Sequence, residues 1–323
     1  MNGQRLTRAS WQDDHMPKNL LTAIEHNHPH SCLHHGHGYI DIALAKSSLL
    51  CSISARALDH CTDPSVWSWI SKTLAASSSI RSLTVKSGTC GCVLSGTRQA
   101  LDIYNDTRFP ALEELRLIGY VGYQFDGPAY EYPKLHKRSS TWDRIKLQLE
   151  AFSWKMQRKI SGTPEKTNLE AWHEAMDWTK LRVLELNMLS VNTLGSINWP
   201  MPNLLSFRPD LPPAWYVESL DGWYAYNEAL SAFVSRLPTR LQSLGFRSFY
   251  LPFSLERIAD IHGQSLKSLE LRGGNGQCRW YLNDTELQQI REQFPALEHL
   301  EIDLDRNQTW VSVSLPRYFR EQC

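Results

Sequence analysis

The nonapeptide FPALEELRL at 109–117 returns as FPALEHLEI at 294–302. Six of nine positions are identical, and a seventh exchanges Leu117 for Ile302. A chain that writes one phrase twice, 185 positions apart, is built from repeated units. That constrains its fold more than any feature of its composition.

The leucines carry the repeat. The spacing L-x-x-L-x-L of Leu112, Leu115 and Leu117 recurs at Leu181/Leu184/Leu186, Leu241/Leu244/Phe246, Leu266/Leu269/Leu271 and Leu297/Leu300/Ile302. A looser copy is Ile80/Leu83/Val85, and two weak ones are Leu50/Ile53/Ala55 and Leu204/Phe207/Pro209. The last two apolar positions of each copy lie two apart, hence on one face of a short strand. The first enters the same core from the bend before it. A buried leucine stabilises by roughly 1.5–3 kcal/mol, but one unit cannot bury its own apolar face and a stack can. The expected fold class is therefore α/β: a leucine-rich-repeat-like solenoid, or horseshoe, with a parallel sheet on its concave face and irregular helical returns. In F-P-A-L, proline fixes φ at the corner and phenylalanine seals the returning helix.

Central positions of successive units are spaced 30, 32, 69, 23, 37, 25 and 31 residues apart. Regular repeats of this class take about 20–29, so the returns are long, and apolar periodicity predicts helices over 63–77, 226–237, 253–263 and 284–294. Thr285 and Gln288 have capping-box spacing. The long gap predicts an insertion at about 121–180, with helices at 140–159 (Ser140 and Asp143 as a capping box) and 169–178. It is either a helical pad or a binding element. The expected organisation is an N-terminal cap over 1–40 and the repeat array over 41–323.

Composition narrows the function. Lys plus Arg equals Asp plus Glu, 34 against 34, which supplies no general grip on nucleic acid or an anionic membrane. Seven cysteines at irregular spacing argue against a disulfide framework and for a reducing, intracellular setting, cytoplasmic or nuclear. No secretory signal and no 18-residue apolar run is visible. The cluster HNHPHSCLHHGHG at 26–38 offers His30, Cys32 and His34 on one face of an extended strand. No second cluster completes a zinc site, and a structural strand is the plainer reading. Cys90 and Cys92 in CGC, and RGGNG at 272–276, read as turns. No nucleophile elbow, phosphate loop, zinc-protease or dinucleotide motif occurs. Neither enzymatic activity nor a cofactor is expected.

The residues between the leucines would line the concave sheet. They are Lys86, Glu114, Arg116, Glu185, Asn187, Arg208, Asp210, Arg247, Glu270, Arg272, His299, Glu301 and Asp303. Both signs alternate strand by strand, a pattern suited to a specific protein surface rather than a polyanion. An ordinary solvated face is the alternative.

The chain resembles the irregular leucine-rich-repeat proteins of filamentous fungi, many of them F-box proteins. The resemblance is carried by LLTAIEHNHPHSCLH at 20–34, NLEAWHEAMDWTKLRVLEL at 168–186 and HGQSLKSLELRG at 262–273, and covers about 20 to 304. It implies a substrate receptor whose F-box docks a Skp-type adaptor of a cullin ubiquitin ligase while the repeats hold a target. An F-box needs about three helices before the repeats. Here only MPKNLLTAI at 16–24 matches its opening, so the F-box is missing or truncated. The alternative is an accessory repeat scaffold with no ligase link.

Overall fold

The computed structural model describes residues 8–11, 16–36, 42–57, 65–87, 108–118, 167–187, 191–210, 220–237, 240–249, 255–273, 282 and 284–302. Strands and helices alternate, and the pairings between strands are parallel. The chain forms two compact units: Met1–Leu112 with Leu117–Asp177, and Glu113–Arg116 with Trp178–Cys323.

In the first unit, β1 (Arg8–Trp11), β2 (Cys32–Gly36), β3 (Leu50–Ala57) and β4 (Ser82–Ser87) pair in chain order. Between them run α1 (Lys18–Asn27), α2 (Ile42–Ala45) and α3 (Ser65–Ala76). The sheet passes through the division expected near residue 40, because Leu33 and His35 point inward and make the histidine-rich segment a strand. The weak copy Leu50/Ile53/Ala55 is buried as completely as Ile80/Leu83/Val85. The expected helix at 140–159 lies outside the described residues. The end of the insertion is α4 (Asn168–Ala175). Its start is a capping box: Thr167 Oγ1 accepts the Glu170 N–H at 3.2 Å, and Glu170 accepts the Thr167 N–H at 2.6 Å. Phe109 packs edge-on against Trp172, centroids 5.6 Å apart, and its N–H donates to the Ala175 carbonyl at the end of α4.

The second unit takes up Glu113–Arg116, which includes the first three residues of β5 (Glu114–Ile118). It continues with β6 (Val183–Asn187), β7 (Ser206–Asp210), β8 (Ser243–Phe249), β9 (Ser268–Gly273) and β10 (His299–Ile302). The returns are a 3-10 turn (Trp178–Lys180), α5 (Val191–Ser196), α6 (Leu220–Arg236), α7 (Leu255–His262) and α8 (Asp284–Gln293). Five successive joints share one hydrogen-bond pattern. The carbonyl after the first leucine of each copy accepts two consecutive N–H groups from the next copy. Glu113 accepts from Arg182 and Val183, Arg182 from Leu205 and Ser206, and Leu205 from Gln242 and Ser243. Gln242 then accepts from Lys267 and Ser268, and Lys267 from Glu298 and His299. A shared carbonyl at each joint keeps the inward leucines in register, where a one-residue slip would turn them to the solvent face.

The leucine face is sealed by Phe207 on Phe233 of α6, centroids 5.0 Å apart, and by Trp178 on Trp199 at 5.2 Å. The Thr285–Gln288 capping box does not form. Helix α8 starts at Asp284, which puts Thr285 inside the first turn, and the Gln288 amide donates to Glu292 one turn on. Gly263 follows α7 because a side chain there would collide with the carbonyl oxygens of Ala259 and Gln293.

Candidate binding face

Alternation along each strand sends the leucines inward and the residues between them to the opposite face. In the second unit that face carries a row of charge. Arg116 lies 3.6 Å from Glu114 and 3.4 Å from Glu185 on the next strand. Register places Glu185 opposite Arg208. The Arg208 guanidinium then reaches over β8 to Glu270 of β9, at 3.0 Å. Arg272 pairs with Glu270 at 3.4 Å and with Glu301 of β10.

Gly245 makes that long reach possible. It faces Glu270 in the β8–β9 register. A Cβ at Gly245 would sit 3.1 Å from Arg208 Nε and 3.2 Å from a Glu270 carboxylate oxygen. The missing side chain is the channel through which the arginine crosses the strand.

This row is not freely solvated throughout. The Glu185 side chain is 7% exposed and that of Glu270 only 3%. Neighbouring arginines cover them, and Arg272 itself remains half-exposed. Reversing Arg116 would therefore set a second carboxylate against buried Glu185, an error costing about 3–5 kcal/mol, whereas Glu270 keeps Arg208 when Arg272 is changed. Among the described residues of this row, Glu114, Arg272, His299 and Glu301 are accessible. The backbones of Asn187, Asp210 and Arg247 sit on their strands, Asp210 opposite Arg247; Asp303 lies outside the described residues.

In the first unit the same positions are short hydroxyls, Ser52 and Ser54 on β3 facing Ser82 and Thr84 on β4, with exposed Lys86 beyond them. The histidine cluster does not gather. His30 lies in the turn before β2, and Cys32 is bonded to Cys51 of β3. Among the described residues no three His, Cys, Asp or Glu side chains converge to hold a metal. CGC and the end of RGGNG fall outside the described residues.

Sequence reasoning missed two features that hold the strands beneath the face. The residue before the first apolar position of a copy is a small polar one at Ser79, Asn203 and Ser265. Ser79 Oγ donates to the Leu50 carbonyl at 2.9 Å, Ser265 Oγ to Leu241 at 2.8 Å, and the Asn203 amide to Thr179 at 2.7 Å. Each satisfies a carbonyl of the preceding copy. The signal was legible as a recurring small hydrogen-bonding residue at one offset.

The second is His262, fully buried at the end of α7. Its Nδ1 accepts the Leu241 N–H at 3.2 Å, and Nε2 lies 3.2 Å from the Val234 carbonyl. Those roles require the neutral ring with its proton on Nε2. Burial lowers its pKa from the ordinary 6.5, opposed by the Val234 contact. Elsewhere the first leucine's N–H is satisfied by a local turn, as Leu181 to Trp178, Leu204 to Met201 and Leu297 to Phe294.

Comparison with protein-family models, with curated proteins and with solved structures gives no match. No helix among the described residues is long and apolar enough to cross a membrane.

Proposed function

We propose that the chain is a leucine-rich-repeat-type solenoid serving as a protein-interaction module, without enzymatic chemistry of its own. It binds a partner protein on the sheet face opposite the leucines. The observation that carries this reading is the run of five joints with one shared-carbonyl pattern beneath two groups of paired charges, Glu114–Arg116–Glu185 and Arg208–Glu270–Arg272–Glu301. A repeated backbone joint makes a rigid platform. Charges already paired within the platform favour recognition by shape and by a few accessible groups over a general attraction to polyanions.

As a receptor of the F-box type, the chain would also dock a Skp-type adaptor through the segment around α1. A second reading, a repeat scaffold with no ligase link, is favoured by one observation: α1 is followed by strand β2, not by further helices. Purified Skp-type adaptor titrated onto the full chain separates the two. Micromolar binding abolished by Leu20→Asp supports the receptor, and no binding supports the scaffold. The face itself is tested with Glu114→Lys and His299→Glu together, which touch no buried carboxylate. Loss of the captured partners with an unchanged melting temperature supports the reading. Unchanged capture by the folded variant sinks it.

A further inference from the structure

We propose that Cys32 and Cys51 form a reversible thiol–disulfide exchange site for low-molecular-weight thiols and disulfides of the glutathione class. The two residues lie on adjacent strands of the first unit, joined side chain to side chain, with Cα atoms 5.6 Å apart. That separation is ordinary for a disulfide. The local backbone creates the pairing. Leu33 faces Leu50 and His34 faces Ser52, so Cys51 is an extra residue with no opposite number on β2. The bulge re-aims Cys51, as bulges do. In a later copy the residue at the offset of Cys51, one after the first leucine, is Lys267, which forms an ion pair with Glu298 on the next strand at 3.3 Å.

Two observations favour a switch over a staple. Both cysteines are partly exposed, which gives a small thiol access. The strands hold together without the bond: Leu33, Leu50 and Ile53 are buried, and Leu33 donates to the Leu49 carbonyl at 2.8 Å. In the oxidising direction, one cysteine thiolate attacks a sulfur of glutathione disulfide. The S–S bond of that molecule breaks and one glutathione thiolate leaves. The second cysteine thiolate then attacks the mixed disulfide, forms the Cys32–Cys51 bond and expels the second glutathione. The two departing thiolates take up the protons lost by the two cysteines, so one disulfide is reduced as one is formed. This inference does not depend on the proposed partner binding.

The test equilibrates the full chain in glutathione buffers, blocks free thiols with an alkylating agent and maps peptides by mass spectrometry. Mapping separates Cys32 and Cys51 from the other cysteines. The expected result is that both thiols protect in step. The closed fraction should rise from about one-tenth to nine-tenths over about a hundredfold change in oxidised glutathione over reduced glutathione squared, as two-electron exchange requires. Circular dichroism of the reduced chain should remain that of a folded protein. Cys32→Ser should leave Cys51 as a glutathione adduct, and Cys51→Ser should do the same for Cys32. A bond that stays closed in millimolar reduced glutathione, or whose reduction unfolds the chain, overturns the proposal in favour of a structural disulfide. Thiols that stay free in glutathione disulfide overturn it outright.

Discussion

The two copies of the nonapeptide are nearly the same words set in different surroundings. At 109–117, Leu112, Leu115 and Leu117 are buried to within about a hundredth of their surface. At 294–302, Leu297, Leu300 and Ile302 are only half-buried. Phe109 donates its N–H to the end of a helix that comes about sixty residues later in the chain, whereas Phe294 donates to Ile290 in the helix just before it. The equivalent charges differ in the same way. Arg116 covers a buried carboxylate, and Glu301 meets a half-exposed arginine. Among the described residues β10 pairs along one edge, to β9. A repeat therefore states a local shape, and its neighbours decide how much that shape is worth.

The largest effect that can break this comparison is in the central leucine. Leu115→Ala should cost about 3 kcal/mol or more, and Leu300→Ala about 1 kcal/mol, in urea denaturation. Equal losses would mean that the two copies are equivalent after all. Next come the charges. Arg116→Ala leaves Glu185 buried beside a lost partner and should cost about 2 kcal/mol, while Glu301→Ala should cost about 0.5 kcal/mol or less. A double-mutant cycle of Arg116 with Glu185 checks the cause, since the coupling should vanish once Glu185 is removed.

The turn before the leucine supplies a test by pH. Leu297 takes a backbone carbonyl that does not titrate, whereas Leu241 depends on neutral His262. Because burial lowers the folded pKa of His262, the unfolded chain binds its proton more readily. Stability from this contact is complete above the ordinary value of 6.5 and is lost as pH falls from there through the lowered folded value. The urea midpoint of the wild type should fall between about pH 7.5 and pH 5 more than that of His262→Gln. Parallel curves would remove His262 from the account. The smallest expected effect is at the offset before the leucine. Ser265→Ala should cost about 1 kcal/mol, and Ala296→Ser, which introduces the same hydroxyl in the second copy of the phrase, should change stability by less than about 0.5 kcal/mol.

The strands were the most legible part of the molecule. Every copy of the leucine spacing became one, including the weak copies at Leu50 and Leu204, because strand alternation needs only that the inward positions be apolar. The helices at 65–76, 255–262 and 284–293 fall where apolar periodicity put them. Helix α6 begins six residues earlier than expected, at Leu220. The first strand, Arg8–Trp11, lacks any leucine phrase and was not foreseen. The candidate face was legible as a list of residues and not as an arrangement. Nothing in the order of letters says that Arg208 passes over a glycine to reach a partner two strands away.

The sequence by itself determined the unit: a short strand with two inward apolar residues and a polar residue between them. That information is local, since side-chain alternation depends only on the backbone of the strand itself. The tertiary structure alone decided which of the polar residues are buried, which cysteines meet and which leucines count in full. Those outcomes depend on contacts between residues tens of positions apart, such as Cys32 with Cys51, Arg208 with Glu270 and His262 with Leu241. Burial is a property of neighbours, and neighbours are assigned only when the strands have been laid side by side.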